Sequence, residues 1–165
     1  MCDVGGATGQ LSIFVARRHP HMKCTTCDLP AVVPIAQKTI EAHDLSDRIT
    51  AASVDIFSEP LPKADVITMG MILHDWNLEK KLHLIRAAYD ALPAGGAFVA
   101  VEHLIDDARR ENAFGLMMSL NMLIEFGDAF DFTFADFRGW CAEAGFRRFE
   151  VLPLGGPASA AVAYK

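Results

Sequence analysis

The sequence predicts an α/β fold: a mostly parallel β-sheet with helices on both faces, finished by an antiparallel C-terminal hairpin. Three observations lead there. A glycine cluster, Asp3-Val4-Gly5-Gly6-Ala7-Thr8-Gly9, separates a short apolar start from a stretch of helical period. Apolar runs of strand length then alternate with amphipathic runs, the pattern of successive βαβ units. The last two strand-like runs flank Gly155-Gly156-Pro157, a turn signal between antiparallel partners. At 165 residues the chain suits one domain, because two would each sit near the lower size limit for a stable core. Hydrophobic residues make up 52% and charged residues 22%, which excludes disordered and low-complexity classes.

Element by element, Met1 and Cys2 lead into a first strand of only about four residues, below the usual five or six. Leu11 to Arg18 predicts a helix with Leu11, Phe14 and Val15 on one face, and Met22 to Leu29 a short strand ending in Asp28. Val32 to His43 reads as a second helix with Val32, Ile35, Ala36 and Ile40 inward. Ile49 to Val54 is a third strand, closed by Asp55. The apolar run Ala64 to Met69, between Lys63 and Gly70, fits a buried parallel strand ending just before His74. Asn77 is placed to cap a helix reaching about Leu92, with Leu78, Leu82, Ile85 and Ala88 or Ala91 inward, stopped by Pro93 and Gly95-Gly96. Its Glu79-Lys80-Lys81 charges read as a solvated face. Ala97 to Glu102 is a fifth strand. An apolar helix over about Glu111 to Phe126 and a shorter one, Phe134 to Ala144, precede the hairpin strands Phe149 to Leu154 and Ser159 to Ala163.

The charge balance argues about partners. Lys and Arg total 15 against 21 Asp and Glu, for a net charge of −6, without the basic footprint that nucleic acid requires. No run approaches the ~20 apolar residues needed to span a bilayer, and Met1 to Gly6 lacks a signal-peptide pattern. No nucleic-acid or membrane partner and a cytoplasmic location are therefore expected. The four cysteines, Cys2, Cys24, Cys27 and Cys141, are too few and too unevenly placed for a secreted disulfide scaffold. Cys24-Thr25-Thr26-Cys27 has redox or zinc spacing but lies within a strand and has no second pair. His19, His21, His43, His83 and His103 form no ligand pattern, so no metal is expected.

A glycine turn between strand and helix lets a ligand approach the backbone and aims free N–H groups at it. Asp28 follows Gly9 by nineteen residues, near the ~20 at which an acid on the second strand tip meets a ribose hydroxyl. Asp55, on the third tip, is placed to accept from an adenine amino group. Glycine turns and strand-end aspartates also occur simply to terminate elements, but three such features in this order favour a nucleotide-like cofactor. A dinucleotide GxGxxG laid on Gly5 would need glycine at position 7 and a small residue at position 10. Ala7 and Gln10 stand there, so a nicotinamide cofactor fits poorly.

The string DVGGATG, followed by GMILHDWNLEKKLHLIRAAYDALPAGG and VAVEHLIDD, resembles the S-adenosylmethionine-dependent small-molecule O-methyltransferases of the plant caffeic-acid and bacterial hydroxyneurosporene type. Ordered matches run from Asp3 to about Phe146. The resemblance implies a Rossmann-like class I methyltransferase sheet and S-adenosylmethionine as cofactor. It places the cofactor at Asp3, Gly5, Gly6, Gly9, Asp28, Leu29, Asp55, Ile56, Gly70 and Trp76. Two positions depart from the pattern: Ala7 replaces the middle glycine of the turn, and Gly70 stands where plant members carry a cofactor-contacting lysine. Trp76 fits an aromatic packed beside the adenine, and equally an ordinary core aromatic.

Methyl transfer to oxygen accelerates when the attacking hydroxyl loses its proton. His74, at the carboxyl end of the fourth strand, has the ordinary proton affinity for that work, and the histidine of the family's HDW motif is its catalytic base. The VE glutamate, here Glu102, is expected to accept from the imidazole and stabilise the imidazolium. A second family acid falls on Asp131 when counted back from Ala144-Gly145-Phe146, with Phe132 in place of the family arginine. Met118, Asn121 and Met122 lie on the long apolar helix, which has the adaptable surface of a pocket for a flat hydroxylated acceptor, or of a core or subunit contact.

The resembled family carries a helical amino-terminal domain that pairs subunits and covers the acceptor pocket. The expectation here is one catalytic domain over residues 1–165 without that helical domain, with a homodimer as the partner state. A noncatalytic cofactor-binding or assembly module is the alternative to an active O-methyltransferase.

Overall fold

A computed structural model describes the whole chain, Met1–Lys165. Seven strands form one sheet: β1 (Cys2–Val4), β2 (Cys24–Asp28), β3 (Ile49–Ser53), β4 (Val66–Gly70), β5 (Ala97–Glu102), β6 (Arg148–Pro153) and β7 (Ser159–Tyr164). Their order is β3-β2-β1-β4-β5-β7-β6. The first five run parallel, and β7 lies antiparallel between β5 and β6. The sheet therefore has the mostly parallel form and the antiparallel terminal pair that the sequence predicts.

β1 has only three residues, yet it is the pivot of the sheet. Cys2 pairs with Thr25 on one side and Ile67 on the other, and Val4 pairs with Cys27 and Met69. Flanking strands on both edges satisfy its backbone, and its side chains are buried, so shortness costs little. The chain leaves β1 toward β2 and β3 and later returns on the opposite side to β4 and β5. That reversal creates the crevice at which open α/β sheets bind ligands.

Five helices cover the sheet: α1 (Gln10–Arg18), α2 (Val33–Glu41), α3 (Leu78–Ala91), α4 (Ala113–Phe126) and α5 (Phe134–Ala144). Two apolar clusters mark its two faces. Ile13, Ala16, Cys24, Ile40, Leu45 and Ile49 form one, whereas Cys2, Val4, Cys27 and the inner sides of α3 and α5 belong to the other. Successive strand residues point to opposite faces, which is why Cys24 and Cys27, three apart on β2, fall in different clusters. The CxxC spacing thus brings no thiol pair together. Cys27 instead meets Cys2 across the strands, Sγ to Sγ 3.6 Å, and all four cysteines are free and buried.

Three helix faces differ from the sequence reading. α1 turns Ser12, Ile13 and Ala16 inward and leaves Leu11 and Phe14 exposed, because small residues let the helix lie close to the sheet. On α2, Ala36 and Ile40 are buried but Ile35 is exposed. On α3 the inward stripe is Lys81, Leu84, Ile85, Ala88 and Ala91, so Lys81 is buried rather than solvated, and Leu78 is the exposed residue. The expected cap holds: the Asn77 side chain accepts from the Lys80 N–H at 3.1 Å. α5 begins with a capping box in which Thr133 accepts from the Asp136 N–H and Asp136 accepts from the Thr133 N–H.

α4 packs on the segment that follows β4 and buries Gly115 and Met122. Its other side exposes Phe114, Met117, Leu120, Leu123, Ile124 and Phe126. No helix of the chain is long and apolar enough to cross a membrane.

Candidate active site

The glycine turn after β1 is held by β2: the Cys27 carbonyl accepts from the Gly5 N–H at 2.8 Å and from the Gly6 N–H at 3.1 Å. Gly5 has φ +71°, and a β-carbon there would run into Cδ1 of Ile72. The missing side chain is what allows the segment after β4 to close on the turn. Ala7 also adopts a left-handed conformation, φ +47°, and its N–H donates to Asp28 Oδ2 at 2.9 Å. That conformation costs a residue with a β-carbon about 1 kcal/mol relative to glycine. Ala7→Gly is accordingly expected to raise the melting temperature by about 2–4 °C; an unchanged or lower melting temperature in calorimetry would show that the turn carries no such strain.

A cleft of about 250 Å³ opens beside this turn, lined by Gly5, Asp28, Leu29, Val54, Asp55, Ile56, Phe57, Ile72 and Trp76. It lies at the carboxyl ends of β1 to β4. Asp28 holds its rim, with Oδ1 accepting from the Leu29 N–H at 2.7 Å and Oδ2 from Ala7; a carboxylate oxygen accepts two bonds, so capacity for a further partner remains. Trp76 meets Phe57 edge to face, ring centroids 4.8 Å apart, and forms an aromatic wall. A larger cleft, about 350 Å³, lies between the β3–β4 connection and the second half of α3, lined by charges of both signs that include Glu59, Lys63, Arg86 and Asp90. It is away from the strand tips that α/β sheets use for ligands, so the smaller cleft is the candidate site.

Several expected cofactor positions lie elsewhere. Asp3, 3% exposed, sits behind the turn, where Oδ1 accepts from the Thr68 hydroxyl at 2.7 Å. Burial pushes its carboxyl up to about 6, the Thr68 bond opposing and the Asp28 charge adding. Gly6 and Gly9 shape the turn without lining the cleft; a β-carbon on Gly6 would overlap the Thr26 hydroxyl. Gly70 pairs with Val101 in the sheet and does not line the cleft. Asp55 lines it, but Oδ1 accepts from the Phe57 N–H at 3.0 Å and Oδ2 from the Ser58 hydroxyl at 2.7 Å. Those two bonds, the Ser58 hydroxyl first, hold its carboxyl below the usual range and turn it toward its own loop rather than toward a base.

Just past the cleft wall, between Ile72 and Trp76, a 3-10 turn over Leu73–Asp75 carries His74, which is 5% exposed. Nδ1 faces Asp131 Oδ1 at 3.4 Å and Nε2 faces Asp75 Oδ1 at 3.3 Å, close contacts rather than aligned hydrogen bonds. Glu102, at the tip of β5, does not accept from the imidazole as expected. Its Oε1 accepts from the Leu73 N–H at 3.0 Å and the Ile72 N–H at 3.2 Å, which fixes the turn that carries the histidine. The Ile105 N–H donates to the Phe132 carbonyl at 3.0 Å, and the Asp131 N–H donates to the Ser119 hydroxyl at 3.1 Å. These bonds bring Asp131 to the imidazole from the far end of the chain.

The donor atoms of His74, Glu102 and Asp131 all lie within 4.8 Å of one another. Burial works against a charged imidazole, but the Asp131 carboxylate facing it and the charges of Glu102 and Asp75 outweigh burial and raise its proton affinity above the ordinary histidine value. Burial also pushes Glu102 up to about 7, with His74 opposing and Asp131 adding. The arrangement can accept a proton and stabilise the resulting cation. Sequence reasoning missed Asp75, Ile72, Phe57 and Lys81. Lys81 had a legible signal, since it continues the spacing of Leu84, Ile85 and Ala88. Of the acceptor candidates, Met122 is buried, Met118 is half-buried and Asn121 is exposed, all on the helix that covers the His74 turn.

The strand order, the glycine turn on the central strand and the ligand cleft at the strand tips define a class I methyltransferase fold. The O-methyltransferase domain family matches residues 1–147, and the chain belongs to that family. It is 37% identical over 163 residues to the tetracenomycin polyketide synthesis 8-O-methyl transferase of Streptomyces glaucescens, covering 99% of this chain and 48% of that protein. It is 35% identical to the 3-hydroxy-5-methyl-1-naphthoate 3-O-methyltransferase of Streptomyces sahachiroi, covering 94% of this chain and 45% of that protein. The crystal structure of human N-acetylserotonin methyltransferase in complex with SAM superposes with a TM-score of 0.91 at 32% identity, covering 100% of this chain and 47% of that one. The chain spans about half the length of these relatives.

Proposed function

We propose that this chain binds S-adenosylmethionine in the Gly5–Asp28–Trp76 cleft and transfers its methyl group to a hydroxyl of a small aromatic molecule, with His74 as general base. The cleft fits the cofactor on its own terms: the backbone of the turn at Gly5, a carboxylate at Asp28 on the ribose side, and an apolar wall of Ile56, Phe57 and Trp76 for a flat base. When bound, S-adenosylmethionine supplies an electrophilic methyl on a sulfonium sulfur. His74 receives the hydroxyl proton at Nε2, and the partly exposed Asp75, 28% accessible, rotates aside to admit the acceptor. Asp131 faces Nδ1 and stabilises the imidazolium, while Glu102 holds the turn through two backbone N–H groups.

The observation that carries this reading is the placement of a buried imidazole between the two cleft-wall residues Ile72 and Trp76 with carboxylates on both its nitrogens. The test is transfer of a tritiated methyl from S-adenosylmethionine to catechols, flavonoids and hydroxylated polyketides, beside calorimetry with S-adenosylhomocysteine. Label in an aromatic hydroxyl supports the reading. Binding without transfer to any acceptor favours a noncatalytic module, and label in an aromatic amine alone overturns the oxygen acceptor.

The apolar outer side of α4 supports a second part of the proposal, that the chain pairs with another copy there. Light scattering should show a mass that rises with concentration toward a dimer; a monomer over a hundredfold concentration range counts against it.

A further inference from the structure

Lys81 occupies a position where α3 otherwise buries Leu84, Ile85 and Ala88, and it is 0% exposed. An ammonium in that stripe is costly unless something needs its charge. Its Nζ donates to the Trp76 carbonyl and lies 3.7 Å from the Phe130 ring centroid, so the polar atom it bonds is the backbone of the cleft wall, with an aromatic ring beside it. The acids around it come from four elements: Glu102 on β5, Asp131 before α5, Asp128 after α4 and Asp75 beside His74. Glu125 of α4 adds to the negative field at Asp75.

Both Asp131 oxygens and Glu102 Oε2 are buried without a hydrogen-bond partner. Two buried carboxylates in that state need a nearby cation or take up a proton. An imidazolium meets the need only while His74 holds a proton, and a general base must be proton-free before it acts. In that state Lys81 is the cation that remains.

We propose that Lys81 is a positioning residue whose buried ammonium lowers the proton affinity of the His74–Glu102–Asp131 cluster, so that the imidazole becomes available to the acceptor hydroxyl at a lower pH than it otherwise would. The role rests on the general-base reading of His74. Burial lowers the ammonium itself to about 8, with the four acids pulling the other way, so it is charged at neutral pH.

The test is a titration of the histidine ring resonances in the full chain, with His74 assigned by its loss in His74→Gln. These groups titrate together, so the informative quantity is the highest-pH inflection, where the cluster sheds its last proton. In Lys81→Met that inflection is expected to rise by ~1 pH unit. Lys81→Gln keeps a donor for the Trp76 carbonyl but no charge, and is expected to shift equally. An inflection that stays put or falls in folded Lys81→Met, or a Lys81→Gln that behaves like the parent chain, overturns the proposal and leaves Lys81 as an anchor for Trp76. The pH profile of methyl transfer should move with the resonance. If the parent chain transfers no methyl group, the function reading fails while the titration still decides the role of Lys81.

Discussion

His74→Ala is expected to lower methyl transfer ~10²- to 10⁴-fold, the range for removing a positioned general base, while S-adenosylhomocysteine binds with unchanged affinity. The separation follows from geometry: His74 stands behind the cleft wall between Ile72 and Trp76 and does not itself line the cleft. Loss of both activities together would mean that the substitution collapsed the 3-10 turn, and full activity would mean that another group takes the proton. The proposed activity also has a predictable pH dependence. Asp131, Glu102 and Asp75 raise the proton affinity of the imidazole against the opposing effect of burial, so a base at His74 would be blocked on the acid side. Turnover should rise with pH through a midpoint above the ordinary histidine value of about 6.5 and be lost below it. A midpoint at or below that value contradicts the carboxylate surroundings.

Asp28→Ala should produce the second large effect, on binding rather than on turnover at saturation. Asp28 ties the Ala7 N–H and the Leu29 N–H to one carboxylate and faces the cleft. Its removal takes away the proposed ribose partner and frees the left-handed Ala7. Charge-assisted bonds of this kind are worth about 2–3 kcal/mol, which weakens S-adenosylhomocysteine roughly 30- to 150-fold. Asp28→Asn keeps one acceptor for the turn and should fall between. An Asp28→Ala variant that binds as tightly as the parent would place the cofactor elsewhere.

The order of elements was readable from the sequence because alternating periods and turn residues act locally. α5 runs over Phe134–Ala144 as the periodicity predicts, stopped by Gly145, and the Asn77 cap sits where the polar residue before an apolar stripe indicates. Which side of a helix faces inward was less readable. α1 carries large apolar residues on its outer side, Phe14 at 64% exposure, since closeness to the sheet favours Ser12 and Ala16 over bulk. Lys81 shows the same limit, because a charge beside Glu79 and Lys80 looks solvated until acids from β5, the α4–α5 connection and the His74 turn are brought to it. The direction of a carboxylate was likewise less readable: Asp55 turns to its own loop, and Glu102 to the backbone of the distant Ile72 and Leu73.

The contact between Ile72 and the bare α-carbon of Gly5 links two tasks that a sequence presents as separate motifs. One face of Ile72 fills the space left by Gly5, while its amide nitrogen is tethered to Glu102. A displacement of this isoleucine would therefore reach both the loop proposed to receive the donor and the carboxylate that holds the His74 turn. On the proposed function, donor loading and readiness of the base share this one residue, and a bulkier or smaller side chain at position 72 is expected to detune both at once.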